Sequence, residues 1–405
     1  MKERWKGSRH TVKRGKGVFI GLLLLSTVAS TSSWAGDITF SDILGHWGKP
    51  AIEEAVRKSY VDGFENGTFR PDQHVTRAEF IKMAVTALKM EVPAIAPGDN
   101  WYTSYNNAAV FAGIHQWRDF TDGDWNTPIT RLEMARIALR ASDAELQKPG
   151  VLLDEKSLMF KATSKGLIQG MDETGTLGLD EPTTRAQSVT IIERILKVKD
   201  GGTLPVDKHA VSRAEVLWRK TNIFSLMPEF FGGEQFYNYW DAENLFVETD
   251  DGKYRGELDA LLAIDLEDPN DPFLSELPDI ESLRWHNLVA NSEGFPVSDY
   301  RESYIVLAKN HVEYNDDKTI YLNDVLAFSI SGPKIPDMVA YQNGELNSIG
   351  SLYIDKIGDI QAYIIPKRGL KTRGQFTISI YAPAKPPAND YKNTLLRVDV
   401  PLEFN

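Results

Sequence analysis

Hydrophobic and polar positions along the chain follow two regimes. Up to about residue 200, apolar residues recur at helical spacing behind a short polar tetrad. Phe80, Ala84 and Leu88 follow Thr76-Arg77-Ala78-Glu79; Met134, Ala138 and Ala141 follow Thr130-Arg131-Leu132-Glu133; Val189, Ile192 and Leu196 follow Thr184-Arg185-Ala186-Gln187. The tetrads stand 54 residues apart in both intervals. Each is preceded by a shorter helical stretch and a turn-rich loop (Gly63 to Phe69 in the first copy), so the unit is a helix–loop–helix too small to bury its own apolar face, and three should pack together. Beyond residue 300 the period falls to two. Strands are expected over 304–308, 319–331, 351–355, 360–365, 375–381 and 395–402, with a tight turn at Asn343-Gly344. The expected architecture is an all-α repeat bundle followed by a mainly β C-terminal domain, an antiparallel sandwich of six or more strands.

The tetrad has a direct chemical reading. Thr-x-x-Glu/Gln ahead of an apolar run is a capping box: the threonine hydroxyl accepts from the backbone N–H three residues on, and the Glu or Gln reaches back to the threonine N–H. Arginine then falls on the first helical residue, beside free N–H donors and the positive end of the helix dipole, where anions are favoured. Its planar fork fits a carboxylate. Trp47 and Trp101 hold equivalent positions ahead of the first two tetrads, and the third copy has Glu155 there. A further box, Ser212-Arg213-Ala214-Glu215, breaks the period and reads as an ordinary capped helix.

These residues resemble the S-layer homology (SLH) family over about residues 38–200. The first copy carries Phe40-Ser41-Asp42, His46-Trp47, Gly67-Thr68-Phe69-Arg70-Pro71 and Val75-Thr76-Arg77-Ala78-Glu79 where the family pattern places them. The resemblance implies repeats at 38–92, 93–147 and 148–200, a pseudo-threefold bundle, and grooves that bind pyruvylated secondary cell-wall polysaccharide. It implies Arg77, Arg131 and Arg185 as the anion contacts, with Thr76, Thr130, Thr184, Trp47 and Trp101 beside them. Copy two has Leu132 for the usual Ala and a changed loop at Asp122-Gly123-Asp124-Trp125; copy three has Gln187 for Glu. Copy one's groove is therefore expected to be the most reliable site and copy three's the least.

Composition narrows the rest. The 405-residue chain has a net charge of −12, against an overall basic nucleic-acid binder, and no cysteine, which removes disulfides, thiolate metal sites and a lipid-modified cysteine. Residues 1–35 read as a signal peptide cut after Ala35: seven cations, a short uncharged apolar run, then Ser33-Trp34-Ala35. After cleavage no segment is apolar enough for a transmembrane anchor. Residues 201–300 are expected to be a linker and an acidic, aromatic-rich region, and 301–405 the β-rich domain. The paired carboxylates among Glu267, Asp268, Asp271, Asp279 and Glu281 read as a solvated face. Asp250-Asp251-Gly252 and residues 265–271 offer oxygen ligands for calcium, the one cofactor considered. The aromatic cluster Phe230, Phe231, Phe236, Tyr237, Tyr239 and Trp240 reads as core.

The sequence thus points to a secreted cell-wall protein, anchored non-covalently and not an enzyme. Two other readings stand beside it: an anchored carbohydrate-active enzyme with its site in residues 205–405, and a lattice-forming S-layer subunit.

Overall fold

Threonine starts the second helix of every repeat. The computed structural model describes residues 40–287, 293–322 and 324–404, so the expected signal peptide lies outside the described residues. The repeats supply helix pairs α1 (Lys49–Arg57) and α2 (Arg77–Ala87), α3 (Thr103–Phe111) and α4 (Arg131–Ser142), α5 (Glu155–Ser164) and α6 (Arg185–Lys199). Thr76, Thr130 and Thr184 each accept from the N–H three residues on, and Glu79, Glu133 and Gln187 accept the threonine N–H in return at 2.9–3.0 Å. Such a cap is worth about 0.5–2 kcal/mol.

The loops ahead of these helices close on one another. Ile129 N donates to Val75 O (2.9 Å), Thr183 N to Ile129 O (2.9 Å) and Val75 N to Thr183 O (3.0 Å), a cyclic triangle of backbone bonds at one point. The first two amides of each capped helix then donate into another repeat. Arg77 N and Ala78 N reach Thr127 O and Trp125 O; Arg131 N and Leu132 N reach Glu181 O and Leu179 O; Arg185 N and Ala186 N reach Gln73 O and Pro71 O. Around this ring runs one apolar core that takes Ile52, Phe80, Ile81, Met134, Ile137, Leu158, Phe160, Val189 and Ile192 from all three copies.

An all-α bundle followed by a separate β sandwich does not describe the remainder. The contacts show no division near residue 200: residues 39–405 form a single unit. Helices continue into the C-terminal half as α7 (Lys208–Arg219), α8 (Ile223–Leu226), α9 (Pro228–Phe231) and α10 (Met338–Gln342). The reason is α7. Its Ala210, Val211 and Ala214 complete the repeat core, while Ile223 and Phe224 just beyond it enter the next core. Asp207 caps α7, accepting from His209 N and Ala210 N, so Ser212 lies inside the helix and the fourth box is not a helix start.

Strands also begin earlier than expected. A seven-stranded antiparallel sheet runs in the order β1-β2-β5-β8-β7-β3-β4, where β1 is Phe246–Glu248, β2 Tyr254–Asp265, β3 Arg284–His286, β4 Phe295–Pro296, β5 Ser303–Asn315, β7 Gly350–Tyr353 and β8 Ala362–Pro366. A second sheet has the order β10-β9-β6, with β6 Ala327–Lys334, β9 Lys371–Ala382 and β10 Tyr391–Asp399. Leu261 and Ala263 of β2 face the second sheet and α8–α9, while Leu262 and Ile264 face Trp285, Val297 and Tyr341. The large sheet is covered on both faces. A two-layer sandwich would leave one face of it in water. Phe230, Phe231 and Trp240 are buried in this core, but Phe236 and Tyr237 are half-buried and Tyr239 is exposed, so the aromatic cluster is core only in part.

Glu215 of α7 is wholly buried at the junction and accepts from Phe224 N (3.3 Å) and Ser225 N (2.8 Å). Burial pushes its carboxyl up from the ordinary 4.5 to about 7, against those bonds and the Arg219 charge. A raised acid favours the folded state below the unfolded value, and that contribution is lost as pH rises through the folded one. Stability attributable to Glu215 should therefore fall by about 3 kcal/mol between pH 4.5 and 7, at 1.36 kcal/mol per unit. Denaturant unfolding of Glu215→Gln should show it gaining on the native chain from pH 5 to pH 8; parallel pH profiles would refute this account.

Candidate functional site

The three repeat arginines begin equivalent helices and meet three different surroundings. Arg131 is 5% exposed. Its Nε donates to Leu177 O (2.8 Å) and its Nη2 to Gln169 O (2.7 Å), both in the third repeat. Burial first, then the charge of Arg194, push Arg131 down to about 10. Arg194 donates to Leu167 O and, at 2.6 Å, to Gln169 Oε1. Neither guanidinium bonds a carboxylate among the described residues. Both line a cavity of about 570 Å³ with Trp47, Gln187 and Met171, and no acidic side chain lines it. Trp47 is 60% exposed there, an open aromatic face beside two cations.

Arg185 makes the matching backbone bonds into the first repeat, to Phe69 O and Asp62 O at 2.9 Å each. Its guanidinium lies over the Phe69 and Phe64 rings, and burial holds its pKa down. Trp101 stands where the 54-residue register places Trp47, with Lys82 Nζ 5.8 Å from its ring centroid.

Arg77 differs. Its Nη2 and Nε grip both oxygens of Glu133 (2.5 and 3.2 Å), and its Nη1 bonds Asp122 Oδ1 (2.6 Å) and Asp124 O (2.8 Å). The altered second loop supplies Asp122, and Glu155 occupies the position held by tryptophan in the other copies, paired with Arg136 at 2.9 Å. A cation held by two carboxylates has no remaining demand for an external anion. The first arginine is therefore the one most fully neutralised by acidic side chains.

Two further expectations change. The first two amides of each helix are not free donors, because carbonyls of another repeat take them. The three threonine hydroxyls are occupied by the caps. An anion in these grooves would meet guanidinium groups. Arg194 was not among the expected contacts, yet Gln187, Thr190, Ile191 and Arg194 form one helical stripe facing the cavity. A cation on the stripe that begins at the capping-box residue is the signal that finds it.

The acidic segments are internally engaged. Lys367 pairs with Asp265 (2.6 Å) and Glu267 (2.8 Å), and Lys208 and His209 pair with Asp268. Asp271 is buried, its pKa raised by burial. Asp251 accepts from Thr249 Oγ1 and Lys253 N. Glu257, His311 and Glu313 lie close enough to share an ion, but Arg255 bonds both glutamates.

The S-layer homology domain profile matches residues 39–81. Over 214 residues the chain is 28% identical to the surface-layer 125 kDa protein of Lysinibacillus sphaericus, covering 48% of this chain and 18% of that one. It is 30% identical over 181 residues to an amylopullulanase of Thermoanaerobacterium thermosulfurigenes (40% and 10%) and 29% identical over 180 residues to an exoglucanase of Acetivibrio thermocellus (40% and 16%). The chain thus spans less than a fifth of these relatives. Similarity to two enzymes overturns the expectation of a non-enzyme, since such sequence is carried by catalytic chains as well as by surface-layer proteins. No helix among the described residues is long and apolar enough to cross a membrane. The chain is an SLH-bearing protein of the cell surface, its matched repeat lying at residues 39–81.

Proposed function

We propose that the repeats hold this protein to the cell wall by binding an acidic secondary cell-wall polysaccharide whose sugars carry pyruvate ketals. The cavity of Arg131, Arg194 and Trp47 is the principal site. One observation carries the reading: two like-charged guanidinium groups, Arg131 buried and Arg194 half-buried, share a cavity that no carboxylate lines. Each raises the cost of the other, and an external carboxylate relieves both. Trp47 offers a face for the sugar ring that bears the ketal. The 54-residue register assigns Arg185, Trp101 and Lys82 to an equivalent, weaker site, and Arg77 serves to join repeats one and two. The sheet-rich half is then carried at the wall by the repeats.

Sedimentation with purified walls tests the site. Arg131→Ala and Trp47→Ala should each weaken binding by about tenfold or more, since a bond to a charged group is worth about 1.5–3 kcal/mol. Arg77→Ala should leave binding nearly unchanged and lower the melting temperature, because it strands the carboxylates of Glu133 and Asp122. Equal losses of binding from Arg131→Ala and Arg77→Ala would contradict this division of labour.

Removing pyruvate from the walls should abolish the difference between the native chain and Arg131→Ala. A persisting difference would mean that Arg131 serves something other than the ketal.

A further inference from the structure

A second cavity lies on repeat two, away from Arg131. It measures about 660 Å³ and is walled by the C-terminal end of α3, the turn Trp117–Asp119 and the segment leading into repeat three. Phe111 is 97% exposed and Trp117 58% exposed, and both line it. Two aromatic rings left in water at one cavity cost hydrophobic free energy and leave the fold nothing in return.

The platform is built, not loose. Gln116 N donates to Asp119 Oδ2 (2.7 Å), closing the turn that bears Trp117. The Asp119 carboxylate is itself gripped by both terminal nitrogens of buried Arg140. Burial would raise that carboxyl, but the His115 and Arg140 contacts hold it low, so the clamp stays charged. Gly113 lets the far wall approach: a Cβ there would stand 2.5 Å from Gln147 O, and its φ is +73°. Polar groups that suit hydroxyls are the amides of Gln116 and Gln147 and the guanidinium of Arg118, which bonds Gln116 Oε1 and makes no ion pair among the described residues. Lys148 is already neutralised by Glu145. Arg118 also borders the groove of Arg77, whose carboxylates Glu133, Glu155 and Asp119 are paired with Arg77, Arg136 and Arg140.

We infer that this cavity binds uncharged pyranose units of a wall glycan, stacked on Trp117 and Phe111 and hydrogen-bonded by Gln116, Gln147 and Arg118. Aromatic faces take the C–H face of a sugar, and neutral amides and a guanidinium take its hydroxyls. The repeat whose arginine is neutralised thus keeps glycan affinity by a route that needs no pyruvate. The inference rests on the wall-binding reading for its choice of ligand, and not on the Arg131 cavity.

The test uses the full chain, pyruvate-stripped walls and chitotetraose as a soluble uncharged probe. Native chain and Arg131→Ala should bind both alike, while Trp117→Ala and Phe111→Ser each lose about tenfold or more. Both side chains are exposed, so unchanged melting temperatures will show that the variants remain folded. Overturning results are no binding of the native chain to stripped walls, equal binding by native and Trp117→Ala, or a change in self-association on replacing Trp117, which would make the surface a contact for a second copy. Loss of Arg131 dependence on intact walls would instead count against the pyruvate site and leave this one standing.

Discussion

Three backbone hydrogen bonds, from Ile129 to Val75, Thr183 to Ile129 and Val75 to Thr183, set the geometry on which the repeats depend. Each is worth about 1 kcal/mol net, so their importance is positional. The triangle sits just ahead of three helix starts, and it brings each start against a loop of another repeat. That loop then satisfies the two amides the threonine cap cannot reach. A helix N-terminus left unpaired in this packed centre would cost more than the ring contributes. The grooves follow directly: those of Arg131 and Arg77 are each lined by residues of all three repeats.

Because the arginine side chains cross these boundaries, the residues that decide their chemistry lie in a different copy. Arg131 and Arg185 end on carbonyls of repeats three and one, which accept hydrogen bonds without cancelling a full charge. Arg77 ends on Asp122 and Glu133 of repeat two, which cancel it. Three identical side chains in identical helical positions are therefore one salt-bridge strut and two guanidinium groups held by carbonyls. Glu133 serves twice, accepting the Thr130 N–H and gripping Arg77, so the cap of one repeat is fastened to the arginine of another.

Local signals in the chain are read well and their consequences poorly. The capping boxes are four-residue chemistry, and all three helices start at the expected arginine. Trp47 is brought to a cavity with an arginine, but with Arg131 and not with Arg77, because partnership is set by the ring and not by distance along the chain. Strand β2 escaped notice for a different reason. Its middle, Leu261 to Ile264, is buried on both faces and so loses the alternation that marks a half-buried strand, while Glu257, Asp259 and Asp265 make the segment look like solvated acid. The same acids meet their partners only across the fold, as Lys367 does with Asp265.

The junction at α7 ties the Arg131 cavity to the sheet-rich half through one loop. Gln169 O accepts from Arg131 inside the cavity, and the next residue, Gly170, donates its N–H to Asp207, the cap of α7 (2.9 Å). A few residues on, His209 Nδ1 meets Glu173 O (2.6 Å) while its Nε2 meets Asp268 of the sheet half (2.7 Å). Arg213 repeats the pattern, bonding Thr174 O on one side and Pro272 O on the other. Asn222 closes the joint from within, bonding Ser212 Oγ and both backbone groups of Ala263. Residues 169–171 therefore line the Arg131 cavity, while Gly170, Glu173 and Thr174 of the same loop hold α7 in place.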